Sequence, residues 1–361
     1  LYLYPTKVTV LELQNNIAVT ELRQRLRDQI LTFEPSDFEK LALQIFRYQA
    51  DHNPIYKQFI GHLQIDPGTV EKLTDIPFLP IQFFKTHRIK TGAVSKVKTT
   101  FESSGTTGQQ TSRHDLYDPE LYETISEQIF REKYGDLNHF HILALLPSYL
   151  ERNNSSLVYM LQHFIKASGS PFSGFYLNNT AEMLKNLRSL IAKPDGKQVL
   201  LMGVTFALLD LAENEADLQF LKQKNDLIVM DTGGMKGRRR EMLREEVHDI
   251  LTSAFGVPQI HSEYGMTELL SQGYSSGSGL FTAGRTMRIL LRDINDPLSV
   301  YDHNISLSKT GGINVIDLAN LDSCSFIETQ DLGRFGEAEG SFYVMGRFDN
   351  SDIRGCNLMV L

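Results

Sequence analysis

Phe38, Leu41, Ala42, Ile45 and Phe46 recur at intervals of three and four, which predicts a helix with one apolar face on a core. Ser36 followed by Glu39 places a capping box at its start. The run Ile76-Pro77-Phe78-Leu79-Pro80 breaks the pattern, because each proline drives its predecessor to extended geometry. It reads as a connector that packs its aromatic residues on the main body. From about residue 138 the pattern becomes short apolar runs at 139–146, 198–205 and 226–230, separated by helical stretches at 155–166, 181–191 and 239–254. Such alternation predicts an α/β core with a largely parallel sheet. Beyond about residue 280 the helical patterns stop, and strands are expected at 287–292, 312–318, 323–328 and 342–345.

These elements divide into one large α/β domain over 1–345. It comprises a helical part (1–100), an α/β core (101–280) and a β subdomain (281–345), followed by a hinge and short tail (346–361). Composition narrows the function. The 361 residues carry 36 Lys and Arg against 44 Asp and Glu, a net charge of −8, which argues against nucleic acid as the main partner. No apolar run reaches the roughly 18 residues of a membrane helix, and no basic-then-apolar leader opens the sequence. Two cysteines, Cys324 and Cys356, without CxxC spacing exclude a disulfide framework and a thiolate zinc site. They suit a reducing cytoplasm. Cys324 sits in an apolar run and reads as a buried strand residue. His139 and His141 alternate on an expected strand with no third metal ligand in view.

Chemistry concentrates in short glycine- and hydroxyl-rich segments. Residues 102–113 read ESSGTTGQQTSR, a loop whose N–H and O–H groups at Ser104, Gly105, Thr106, Thr107 and Gly108 suit a polyphosphate. It lacks the Gly-Lys-Ser/Thr of a Walker loop. The segment HSEYGMTE (261–268) follows a short apolar run, and at a strand end Glu268 suits Mg²⁺ and Thr267 a phosphate. Gly233 and Gly234, directly after the 226–230 run, let a flat base approach the backbone. Asp331 in TQDLGR suits ribose hydroxyls and equally suits a turn cap. Arg347 in GRFD stands at a possible hinge and equally suits a surface ion pair. The basic run 236–240 opens an expected helix and suits solvent or phosphate better than nucleic acid.

In order, SSGTTG, YGMTE, DLGR and GRFD resemble the motifs of the adenylate-forming superfamily of acyl- and aryl-CoA ligases, peptide-synthetase adenylation domains and luciferase. IPFLPIQFFK (76–85), FESSGTTG, LLPSYLE (145–151), TGGMKG (232–237) and SDIRGC (351–356) are most similar to LuxE-like acyl-protein synthetases, with phenylacetate-CoA ligases next. The resemblance implies the large N-terminal domain of those enzymes, with ATP and Mg²⁺ as cofactors and a carboxylic acid, of fatty type, as substrate. An acyl-adenylate forms, and its acyl group passes to a thiol. It further implies phosphate contacts by Ser104–Gly108, an adenine slot at Gly233 and Gly234 with Tyr264 and Gly265 beside it, and ribose held by Asp331. Thr267 would meet the α-phosphate, Glu268 Mg²⁺, and Arg347 ribose or phosphate.

Longer members continue past the hinge motif into a domain carrying a catalytic lysine, whereas this sequence ends soon after GRFD. Arg113, Lys236 and Arg354 are the cations left to stand in for it. The short LuxE-like members instead self-acylate on a cysteine near the C-terminus, which points to Cys356, with an acyl-accepting reductase or carrier protein as partner. The runner-up is an acyl- or aryl-CoA ligase without its C-terminal domain, and the third reading a non-catalytic nucleotide-binding subunit. An apolar acyl pocket is expected from 149–159 with Val204, Phe206 and Met235.

Overall fold

The computed structural model describes residues 10–94, 96–103, 110–146, 154–176, 179–214, 218–223, 226–234, 239–240, 242–303 and 309–348. Thirteen of the described strands join one sheet. One half is parallel: Gly174–Phe175, Phe140–Leu145, Gln198–Val204, Leu227–Thr232 and His261–Tyr264 lie side by side. Their side chains are almost all buried, as continuous apolar runs covered on both faces require. Helices Ser156–Ser168, Thr180–Ala192, Thr205–Asn214 and Arg244–Phe255 supply the crossovers. The other half is antiparallel, running through Gly273–Ser275, Leu280–Ala283, Ser341–Arg347, Phe326–Phe335, Thr310–Asp317, Met287–Arg292 and Val300–Tyr301. The α/β expectation holds, and the β-rich segment continues the same sheet.

Helices Val10–Thr32, Phe38–His52 and Pro54–His62 form the N-terminal part. Phe46 from the second packs edge-on against Phe326 at 5.8 Å between centroids. The proline-rich connector does pack on the body: Leu79–Pro80 pairs in parallel with Phe326–Phe335, and Phe78 meets Phe326 at 6.3 Å. Buried Gln49 closes the joint, donating to the carbonyls of Asn320 and Leu321 while its Oε1 accepts from the Ser325 N–H. Helix Val10–Thr32 is latched by charge. Arg23 reaches both oxygens of Asp322 at 2.6 Å, and Arg27 reaches Asp118 at 2.6 Å.

Local expectations differ from the structure at four places. Pro35–Asp37 forms a 3₁₀ turn and the helix starts at Phe38, so Ser36 and Glu39 do not make a capping box. His139 ends another 3₁₀ turn before the strand begins at Phe140, so it does not share a strand face with His141. Buried His141 bonds instead to Ser170 Oγ at 2.6 Å and Asp195 Oδ1 at 3.0 Å. The helix expected from residue 239 starts at Arg244, where Glu246 accepts from the Leu243 N–H at 3.2 Å. Arg239 is drawn away by Asp210 and Glu213. Cys324 is fully buried, as expected, but it precedes the strand Phe326–Phe335, and burial pushes its thiol up to about 12.

Candidate functional site

Three parallel strands, Gln198–Val204, Leu227–Thr232 and His261–Tyr264, end together, and open α/β sheets bind ligands beyond such carboxyl ends. Gly233 turns off the middle strand with φ +72°, a left-handed conformation suited to glycine. Its carbonyl lies 3.3 Å from the Thr205 hydroxyl, which also sits 3.2 Å from Asp231 Oδ2. Asp231 Oδ1 accepts from Ser262 at 2.5 Å, joining the Gly233–Gly234 turn to the neighbouring strand.

That neighbouring strand leads into Gly265, Met266, Thr267 and Glu268. Its last residue, Tyr264, donates its hydroxyl to Asp331 Oδ2 at 2.9 Å. Asp331 pairs directly across the antiparallel ladder with Arg347, whose Nε lies 3.2 Å from Oδ1. Burial raises the Asp331 carboxyl above its usual range, while Arg347 and the Tyr264 hydroxyl pull it back. The Tyr264 ring is enclosed edge-on by Phe281 and Phe342, at 6.0 and 5.4 Å. Its hydroxyl therefore serves Asp331, and its ring packs with the aromatic core.

The phosphate-type loop springs from the hairpin Thr99–Glu102 and Arg113–Leu116. Its base is pinned where Ser103 N–H donates to the Ser112 carbonyl at 3.1 Å and Ser112 N–H to Ser103 Oγ at 2.9 Å. The return strand grips the Thr-Glu turn. His114 Nδ1 lies 3.0 Å from the Thr267 carbonyl, and the Ser112 hydroxyl, just before the strand, favours the charged form of the Glu268 carboxyl. Burial pushes Glu268 up, and Ser112 and the charges of Arg347 and Lys85 draw it down. Arg113, at the start of the return strand, is half-exposed and pairs with Glu102 at 3.4 Å.

Thr267, Glu268, Tyr264, Gly265, Asp331 and Arg347 thus lie in one connected network, with Gly233 and Gly234 on the adjoining strand end. Ser104, Gly105, Thr106, Thr107, Gly108, Met235, Lys236, Arg354 and Cys356, and residues 147–153, lie outside the described residues.

A profile described as acyl-protein synthetase, LuxE, matches residues 33–361. The chain belongs to this family. LuxE-family chains are AMP-forming, acid-activating ligases, and the fold agrees. The structure is similar to a 2-hydroxyisobutyryl-CoA ligase in the postadenylation state with R3-HIB-AMP, at TM-score 0.62 and 12% identity, over 89% of this chain and 70% of that one. It is also similar to the AtGH3.15 acyl acid amido synthetase in complex with 2,4-DB, at TM-score 0.50 and 11% identity, over 96% and 72%. A comparison with curated proteins gave no match.

In this LuxE-family chain the site is held by several residues whose roles the sequence did not reveal. His114 and Asp231 bind backbone or neighbouring strands. Buried Arg292 donates to the carbonyls of Thr329 at 2.7 Å and Ile313 at 3.0 Å, just before Asp331. Lys85 ends the IPFLPIQFFK segment, so its motif was visible and its target was not. A buried arginine in an apolar run, MRILLR, was the one local signal for Arg292. Helix Val10–Thr32 precedes the matched segment, yet its latch reaches Asp118, which caps the helix Pro119–Tyr134.

Proposed function

We propose that the protein activates a carboxylic acid of fatty type with ATP and transfers the acyl group to the Cys356 thiol, for delivery to a reductase or carrier protein. The observation that carries this reading is the buried Asp331 carboxyl, held by Tyr264 and Arg347 beside the Thr267–Glu268 turn. It offers a nucleotide two functions in one place: a carboxylate for ribose hydroxyls and a turn for phosphates. Family membership supplies the acid-activating chemistry. A free acceptor thiol suits the reducing cytoplasm.

In the first step a carboxylate oxygen of the acid attacks the α-phosphorus of ATP, and the bond to the bridging oxygen breaks, releasing pyrophosphate. Like charges meet in this step, so catalysis is mainly positioning and charge dispersal. Arg347 and Lys85 bring positive charge, and the hydroxyl and N–H groups of Ser104–Gly108 bring donors. Glu268 fits a hard cation: it is a buried carboxyl whose charged form burial disfavours, and no group of three ligands surrounds it among the described residues. Mg²⁺ characteristically takes one or two carboxylates plus substrate phosphates. When bound there it supplies neutralisation of phosphate charge. In the second step the Cys356 thiolate attacks the acyl carbon and AMP leaves. Nearby Arg354 would favour the thiolate.

The test is pyrophosphate release with an acid panel, with and without CoA, together with label from radioactive acid on the protein. ATP-dependent label that disappears in Cys356→Ser, with pyrophosphate release retained, supports the reading. Label persisting in that variant removes Cys356 as acceptor, and CoA thioester formation assigns the acyl group to CoA instead.

A further inference from the structure

A row of directly paired residues crosses four strands on one sheet face: Val204, Thr232, Glu263 and Tyr274. Paired residues present their side chains to the same face, and the Thr232 hydroxyl indeed donates to Glu263 Oε2. Buried Gln272 lies immediately before this last strand, two residues from Tyr274. The helix Pro119–Tyr134 covers the row, with Phe130 and Tyr134 ring centroids 6.1 and 5.5 Å from Tyr274.

Hydrogen bonding along this row is incomplete. Tyr274 and Gln272 are 2% and 3% exposed, yet the Tyr274 hydroxyl and Gln272 Oε1 have no partner among the described residues. Glu263 is 8% exposed, and among the described residues Thr232 alone bonds its carboxyl. Buried polar atoms are nearly always paired, and leaving one orphaned is costly. Two of the three groups are acceptors, and the third either donates or accepts. What is missing is therefore a donor. Gly265 lies two residues beyond Glu263, and a Cβ there would run into the Glu263 carboxyl. The row therefore ends beside the turn that leads to Thr267 and Glu268.

We infer that Glu263, Gln272 and Tyr274 form a wall of the acid subsite and select an acid bearing a hydrogen-bond donor, hydroxyl or amino, close to its carboxyl. This inference rests on the adenylation reading above and refines its substrate class. Val204 at the apolar end of the row takes the hydrocarbon part. Burial and the nearby Asp231 charge raise Glu263 to about 7, so near neutral pH it presents both protonation states to a donor. Tyr122 and Tyr274, the other titratable groups facing it, are both raised by burial and stay neutral.

The experiment compares pyrophosphate release by wild type, Glu263→Gln and Tyr274→Phe with chain-matched plain, hydroxy- and amino-substituted acids. Tyr274→Phe removes only a hydroxyl that has no partner among the described residues, so folding is not at risk. Wild type is expected to favour one donor-bearing arm by about 10- to 100-fold in kcat/KM. Both variants should move that ratio towards one, whereas a merely structural role lowers both acids alike and keeps the ratio. Release that favours the plain acid, or a ratio unmoved by either variant, overturns the selectivity and leaves adenylation standing. No release from any acid, with ATP still bound, overturns the adenylation reading and the selectivity with it.

Discussion

His114 Nδ1 lies 3.0 Å from the Thr267 carbonyl oxygen, tying the strand that returns from the phosphate-type loop to the Thr-Glu turn. On its other side Nε2 lies 2.8 Å from the Ser323 hydroxyl. Because a carbonyl only accepts, Nδ1 carries the proton and Nε2 accepts from Ser323. Burial lowers the ring to about 4, so it stays neutral over the working pH range. His114→Phe keeps the shape and removes both bonds. It should lose about 1–3 kcal/mol of stability and lower kcat for pyrophosphate release more than it raises the KM for ATP. His114→Asn, which retains a donor, should recover part of kcat. Equal losses in both variants would show that ring packing matters and the bond to Thr267 does not.

Asp331 gives a second test. Asp331→Asn keeps the volume and removes the charge facing Arg347 and the Tyr264 hydroxyl. The KM for ATP should rise about 10- to 100-fold, with a smaller effect in Tyr264→Phe. An unchanged KM for ATP in Asp331→Asn would place the ribose elsewhere.

Stability against pH isolates Glu263. Its folded value, about 7, stands above the ordinary 4.5 because of burial, so between these values the native state holds a proton that the unfolded state has lost. Stability from this group is therefore present at low pH and falls as pH rises through that window. Glu263→Gln cannot titrate, and Thr232 can still donate to its amide oxygen. The stability of Glu263→Gln relative to wild type should climb between pH 4.5 and 7 by an amount on the order of a few kcal/mol, then level off. His114 and His261, both lowered to about 4 by burial, act in the opposite direction in both proteins and cancel from the difference. Parallel denaturation curves at every pH would contradict the assignment.

The N-terminal latch predicts local release. Arg23 is largely buried and holds Asp322 with both oxygens, and Asp118 as well. Arg23→Met leaves two mostly buried carboxylates without that partner and should cost about 3–5 kcal/mol. Amide exchange should speed up first in helix Val10–Thr32 and at the Asp118 cap. Uniform acceleration over the whole chain would mean that the latch belongs to the global core.

Much of this was legible along the chain. The strands at 140–145, 198–204 and 287–292 and the helices between them follow from apolar periodicity, because burial on both faces or on one stripe leaves a local mark. Boundaries failed where a polar residue had a distant partner. Arg239 left the helix for Asp210 and Glu213, and Ser36 fell in a 3₁₀ turn closed by backbone bonds. The motif residues Thr267, Glu268 and Asp331 announced themselves through glycine-rich, hydroxyl-rich surroundings. His114, Lys85 and Arg292 did not, since their partners lie far away in sequence.

The amino-acid sequence by itself determined the fold class, the acid-activating family and the short segments that carry its chemistry, because periodicity and motif spacing are properties of neighbours in the chain. Only the tertiary structure decided that Tyr264 spends its hydroxyl on Asp331, that His114 grips Thr267, and that Glu263 and Tyr274 share one sheet face. Strand register sets the last of these meetings, and packing between elements distant in the chain sets the first two. Neither is encoded in a local pattern.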